Sequence, residues 1–200
     1  MNNAARFLKD FPRSVRLLKL ALLTFSLAVC AQAQTVTILA QRQGNQGGGN
    51  ARGVIQATDG NFYGAADGGA YSQGQIFRMT PAGELTTIYS FCAQANCSDG
   101  EQPYVSPILG SDGNLYGVVK FGGNSTGSGT FYKLTLDGQL TTLHTFCASA
   151  GCVDGQIPNR IIQAADGNFY GTTELGGAHN EGVFFQISLT GGFHVLHSFC

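Results

Sequence analysis

The nine residues from Gln56 to Gly64, QATDGNFYG, return as QAADGNFYG from Gln163 to Gly171 with a single change. Between them, Gly110 to Gly117 reads GSDGNLYG, so Asp59, Asp112 and Asp166 stand 53 and 54 residues apart. A fixed period of this size marks a repeat architecture, in which one supersecondary unit stacks on the next. The agreement runs on through each copy. Gly pairs follow at Gly68-Gly69, Gly122-Gly123 and Gly176-Gly177. Then come GQIFRMT from Gly74, GTFYKLT from Gly129 and GVFFQIS from Gly182. Each copy closes on a similar strand, ELTTIYSFC, QLTTLHTFC or GFHVLHSFC, ending at Cys92, Cys147 and Cys200.

Read locally, one copy holds four short strands. In the first copy these are predicted at 53–57, 61–66, 75–80 and 84–91. Asp59-Gly60, Asp112-Gly113 and Asp166-Gly167 supply hairpin turns, because Gly and its Asp or Asn neighbours tolerate positive φ. Tyr63, Tyr116 and Tyr170 recur just before a Gly, and Phe91, Phe146 and Phe199 just before a Cys. Strict recurrence predicts packing between units, since every unit must bury the same face. Four strands per period predict an all-β chain, a partial β-propeller of three blades at about 53–105, 106–159 and 160–200. Thr35 to Ala40, TVTILA, resembles the fourth strand of the later copies and is expected to act as a closing strand. It belongs to a stretch, 34–52, of strand followed by Gly-rich loop.

The motif D-G-N-[FL]-Y-G, followed by G-G and L-T-T-[IL]-x-[ST]-F, resembles the GloVer tandem repeat of bacterial surface or secreted proteins. These are described as "choice-of-anchor" proteins because members end in different sorting signals. The resemblance covers residues 53–200 and implies an extracellular, propeller-like array with a C-terminal anchor. Kelch repeats share the Gly pair but usually carry a Trp, which this chain lacks. Three blades fall short of the usual four to eight. The earlier copies continue past the Cys as CAQANC and CASAGC, whereas the sequence stops at Cys200. Further C-terminal blades are therefore expected in a longer protein. The alternative is a three-copy chain that assembles with others.

The N-terminus predicts export. Arg6, Lys9, Arg13, Arg16 and Lys19 precede an apolar core from Leu20 to Cys30 and an Ala31-Gln32-Ala33 cleavage signal. That order is a secretory signal peptide over 1–33, and its apolar core is short for a span of about 20 residues. An uncleaved anchor, or a lipoprotein with Cys30 lipidated, stays open. The mature chain is predicted to have no transmembrane span and to be extracellular, at the cell surface or periplasmic. Beyond residue 33 remain six Lys and Arg against 11 Asp and Glu. A net charge of −5 argues against nucleic acid as a partner.

Cys92/Cys97 and Cys147/Cys152 recur in loops of an exported chain, which predicts two disulfides. Their spacing is not that of a zinc site. Asp59, Asp112 and Asp166 lack the pattern of a calcium loop and are assigned to turns. Asp99-Gly100 and Asp154-Gly155 follow the Cys loops, where a ligand or ion role stays open. His144 and His197 occupy the slot of Tyr89, so they read as packing or surface positions. Neither a G-x-S-x-G elbow nor a phosphate loop is present. No catalytic residue, cofactor or metal ligand is assigned. The expected function is a non-catalytic binding or scaffold module for a protein or glycan. The alternative is a polysaccharide lyase or hydrolase using the unique insertions at Gly122–Gly129 and His179–Glu181.

Overall fold

The fold is taken from a computed structural model, which describes Ile38 and residues 48–200. The chain divides into two units, Met1–Ile38 and Leu39–Cys200, and the three repeats belong to the second. The signal peptide over 1–33, the closing strand over 35–40 (apart from Ile38) and the loop as far as residue 47 lie outside the described residues.

Twelve strands form three sheets of four. The first sheet is β1 (Gly48–Gln56), β2 (Phe62–Gly68), β3 (Gln75–Met79) and β4 (Leu85–Ser90). The second is β5 (Ile108–Leu109), β6 (Leu115–Val119), β7 (Thr130–Leu134) and β8 (Leu140–Thr145). The third is β9 (Gln156–Gln163), β10 (Phe169–Leu175), β11 (Val183–Ile187) and β12 (Phe193–Ser198). Each sheet is an antiparallel meander in sequence order. This is the all-β, blade-like arrangement that the period predicts. β1 reaches back to Gly48, which pairs with Gly68 across two register shifts. β5 starts only at Ile108, because Pro107 just before it offers no N–H to a ladder. β9 carries Pro158 at an edge, beside a register shift opposite Gly171 and Thr173.

The first hairpin turn is the same in all three sheets. Gly60 N donates to Ala57 O at 3.0 Å, Gly113 N to Gly110 O at 2.9 Å, and Gly167 N to Ala164 O at 3.0 Å. These glycines have φ of 81°, 79° and 82°, left-handed values that a side chain resists. The next invariant glycine has another cause. A Cβ at Gly64 would lie 2.6 Å from Phe77 Cζ, one at Gly117 2.5 Å from Tyr132 Cζ, and one at Gly171 2.5 Å from Phe185 Cζ. The facing ring of the third strand lies across the glycine, so the Tyr-Gly pair of the motif needs its Gly.

Alternation along the strands sends side chains to two faces, and each interior face meets a neighbouring sheet. Tyr63, Ala65, Ile76 and Phe91 of the first sheet bury against Leu115, Val119, Tyr132 and Leu134 of the second. Tyr116, Val118, Phe131 and Phe146 of the second bury against Ile161, Phe169, Val183, Phe185 and Ile187 of the third. Tyr116 meets Phe169 at 4.4 Å between ring centroids. The two cores are thus interfaces between sheets, as a stacked repeat requires.

One core residue breaks the pattern. Tyr132 fills the slot held by Phe77 and Phe185 in the other sheets, and its buried hydroxyl finds no partner among the described residues. A buried, unpaired hydroxyl carries a desolvation cost without a compensating bond. Tyr132→Phe is therefore expected to stabilise the chain by about 1 kcal/mol, raising the melting temperature by about 2–4 °C. Differential scanning calorimetry would read the shift, and a loss of stability would reveal a partner for the hydroxyl.

Candidate functional site

Most residues singled out in the sequence serve the frame. In every copy the turn aspartate clasps the residues just after it. Asp59 Oδ1 accepts from Asn61 N at 3.0 Å, and Asp59 Oδ2 accepts from Asn61 Nδ2 and the Tyr63 hydroxyl, both at 2.8 Å. The Tyr116 hydroxyl donates to Asp112 at 2.9 Å and that of Tyr170 to Asp166 at 2.7 Å. Lys133 adds a bond to Asp112 at 2.9 Å. Burial pushes the Asp112 carboxyl up, but the bonds from Lys133, Asn114 and Tyr116 outweigh it and hold the group below the usual range. Burial, with help from Asp59, pushes the Tyr63 phenol up to about 12. The clasp lets a tyrosine ring enter an apolar interface while its hydroxyl stays paired.

The structure bonds Cys92 to Cys97 and Cys147 to Cys152, each across a 3-10 turn, at Ala95–Cys97 and Ala150–Cys152. Asp99 lies buried beneath the first loop. Its carboxylate accepts from the Tyr89 hydroxyl at 2.7 Å, Ala93 N at 3.0 Å and Gln94 N at 3.2 Å. Such a carboxylate is committed inside the protein. Asp154 repeats the position, accepting from Ala148 N at 3.3 Å, but faces His144 where the first copy has Tyr89. His144 Nε2 lies 3.2 Å from Asp154 Oδ2, and the ring stacks on Phe193 at 4.0 Å. Among the described residues no cluster of three or more His, Cys, Asp or Glu could hold a metal ion.

The His144 slot carries a pH dependence. Burial lowers the His144 pKa from the ordinary value, against the opposing pull of Asp154. A base depressed in the folded state binds its proton more readily when unfolded. Its contribution is complete above the unfolded pKa near 6.5 and declines as the pH falls below that value. We expect the melting temperature to drop between pH 7.5 and pH 5. His144→Tyr should restore the tyrosine–aspartate bond of the first copy, add about 1 kcal/mol at neutral pH and flatten this acid limb. A thermal melt series of both proteins checks it. An unchanged slope in the variant would place the acid sensitivity elsewhere.

Residues that differ between copies gather elsewhere, where the chain crosses from the first sheet to the second. Arg52 on β1 pairs with Asp67 on β2 at 2.7 Å. The Arg52 guanidinium carbon lies 4.9 Å from the centroid of the Tyr104 ring, and Lys120 Nζ lies 5.1 Å from the same centroid. Lys120 pairs in turn with Glu174 of the third sheet. The Tyr104 hydroxyl donates to Gln102 Oε1 at 3.1 Å, and the residue is 40% exposed. Arg52, Asp67, Gln73, Gln102, Pro103 and Tyr104 line a pocket of about 240 Å³. An exposed aromatic plane ringed by charged and amide groups can stack on one face of a ligand and bond to its edge.

Motif reasoning on the sequence does not single out any of these six side chains. The signal is present, however, as departures from the repeat. Tyr104 stands five residues after Asp99, where Asn159 stands five after Asp154. Lys120, two before its Gly pair, matches Ala66 and Glu174. The insertions at 122–129 and 179–181 do not line this pocket. Asn124 is tied to Phe146 O and Cys147 O, while His179 and Glu181 lie exposed in the loop between β10 and β11.

No curated protein matches the chain. A family model described as the Gloeobacter/Verrucomicrobia repeat matches residues 23–200. The match takes in all three sheets, and with them the aspartate–tyrosine clasp and the glycine beneath the facing ring. On that match the chain belongs to the Gloeobacter/Verrucomicrobia repeat family.

Proposed function

We propose that the protein is an exported, non-catalytic binding module whose three sheets form a rigid frame for a glycan-binding pocket at Tyr104. The observation that carries this reading is the exposed Tyr104 ring within a pocket of polar and charged groups. Tyr104 is 40% exposed and Tyr71 53%, whereas the motif tyrosines Tyr63 and Tyr116 are fully buried; of the two exposed rings, Tyr104 is the one that lines the pocket. Its flat apolar face suits the C–H face of a sugar ring. Arg52, Asp67, Gln73 and Gln102 supply donors and acceptors for hydroxyls around the edge. The pocket is smaller than the roughly 300–1,000 Å³ of drug-sized sites, so it suits one ring of a longer glycan. Paired cysteines in surface loops fit an oxidising compartment outside the cytoplasm, which is where extracellular polysaccharide is met.

A glycan array followed by titration calorimetry tests the reading. We expect retained glycans on the unaltered protein and at least a tenfold loss of affinity in Tyr104→Ala, about 1.4 kcal/mol or more. Tyr104→Phe should keep most of the binding. An array without any retained glycan, or binding untouched by Tyr104→Ala, would rule the site out.

A further inference from the structure

The pocket at Tyr104 suits a single ring, but a second exposed aromatic side chain stands next to its wall. Ser72 and Gln73 line the pocket, and the residue before them, Tyr71, is 53% exposed. Gln73 O accepts from Gln102 N at 2.7 Å. Pro103 packs so close to this segment that a Cβ on Gly74 would lie 2.2 Å from its Cδ. Tyr71 and Tyr104 thus stand two residues to either side of one hydrogen bond between two touching segments. Two residues of chain on each side and one bonded pair between them keep their Cα atoms within about 20 Å. Burial and Asp99 push the Tyr89 phenol up, and Tyr71 adds to the effect, so Tyr71 lies on the β4 side of the loop. Tyr104 lies beside Arg52 of β1.

The backbone that carries Tyr71 is held on both sides. Ala70 N donates to Ser90 Oγ at 3.1 Å, Ser72 N to Gly69 O at 3.2 Å and Gly74 N to Gly68 O at 2.7 Å. A ring presented on a fixed loop loses little freedom when a ligand covers it. Tyr71 is also a departure from the repeat. Three residues after the first Gly of the pair, the other copies have Ser125 and His179. All three positions are exposed, including that of the second sheet, which has a neighbour on either side. The exposure therefore belongs to the loop tip and does not depend on what adjoins the first sheet.

We propose that Tyr71 is the platform of a second sugar subsite, so that the protein binds an oligosaccharide laid along Ser72 and Gln73, with one ring on Tyr104 and another on Tyr71. The inference rests on the glycan reading of the Tyr104 pocket and adds to it the length of the ligand. Each tyrosine offers an apolar face to the C–H face of a sugar ring. Between them the Ser72 hydroxyl and the Gln73 amide face the pocket, with donors and acceptors for the hydroxyls of the intervening units. A chain of a few sugar units covers the separation of the two tyrosines.

Titration calorimetry with oligomers of the cellulose, xylan, chitin and mannan series, from monosaccharide to hexasaccharide, tests this. We expect the affinity of the unaltered protein to rise with length until the ligand spans both rings. Tyr71→Ala should weaken the hexasaccharide by about five- to tenfold and leave the monosaccharide unchanged. Tyr71→Phe should match the unaltered protein, and Tyr104→Ala should weaken every length. A hexasaccharide held equally by Tyr71→Ala and the unaltered protein would overturn the second subsite and leave the Tyr104 pocket standing. Equal losses of monosaccharide and hexasaccharide in Tyr71→Ala would overturn it too, since both rings would then serve one unit. No binding at any length, or binding indifferent to Tyr104→Ala, would remove the glycan reading and this inference with it.

Discussion

Truncating Phe146 to alanine is expected to remove about 3–5 kcal/mol of stability, a large share of what a domain of this size possesses. Phe146 is fully buried and binds two sheets together. Its ring lies 5.2 Å from Phe185 and 5.9 Å from Phe193, both on the third sheet, and 4.9 Å from His144 on its own. Deleting it would open a cavity between rings that are held by strands on both sides and cannot collapse into the gap. Phe91 stands in the same place one copy earlier, buried and 5.3 Å from Tyr132 of the second sheet. Phe91→Ala should cost a similar amount. Phe199 supplies the internal control. It too stands between a hydroxyl residue and a Cys in sequence, but its ring meets His197 of the preceding strand at 5.3 Å, and it is 38% exposed. Phe199→Ala should cost no more than about 1 kcal/mol. Urea unfolding in dilute solution would rank the three. Equal losses at Phe146 and Phe199 would show that packing against the following sheet is not the source of the effect.

That contrast also separates what a repeat sequence reveals from what only the fold reveals. A period near 54 residues, with turn residues at fixed offsets, specifies four strands and their order, because local spacing alone decides which strands are neighbours. The recurrence of Tyr63 and Tyr116 likewise reports burial, since each unit must meet the next in the same way. The hydroxyl's partner is harder to see. Asp59 and Tyr63 are four residues apart with a turn between them, and only the hairpin geometry brings Oδ2 within 2.8 Å of the phenol. Asp99 and Asp154 read equally well as loop ligands, because a sequence does not say whether a carboxylate faces out or under its own loop. The Tyr104 pocket is further removed still. Its members come from β1, β2, the loop before β3 and the crossing to the second sheet, with Lys120 over the Tyr104 ring and paired in turn with Glu174. No short window contains two of its charges. Departures from the repeat at matched positions are the one local trace such a site leaves.

Replacing both cysteine pairs with serine is expected to cost about 4 kcal/mol, whereas replacing them with glycine should cost much less. Each bond closes a loop of five-residue separation, and the loss of unfolded-chain entropy from so small a loop is about 2 kcal/mol. The difference between serine and glycine lies in the backbone. Cys92, Cys97, Cys147 and Cys152 have φ of 64°, 50°, 54° and 49°, left-handed values that disfavour any residue with a side chain by about 1 kcal/mol. The hydrogen bonds account for the conformation. Cys92 N donates to Gly100 O at 3.0 Å and Cys147 N to Gly155 O at 2.9 Å. Cys97 O accepts from Gly123 N at 2.8 Å and Cys152 O from Gly177 N at 2.9 Å, and these glycines belong to the following sheet. Each loop is thus a clasp from one sheet to the Gly pair of the next, and the disulfide holds a backbone that would otherwise resist the required turn. Serine loses the bond and keeps the unfavourable φ. Glycine loses the bond but adopts that φ freely, offsetting about 1 kcal/mol at each position at the expense of a looser unfolded chain. Urea unfolding with and without reductant separates the two contributions. Reductant should bring the unaltered protein down to the level of the serine variant and leave both variants where they were. Should the glycine variant prove as unstable as the serine one, the left-handed backbone costs nothing and loop closure alone accounts for the cysteines.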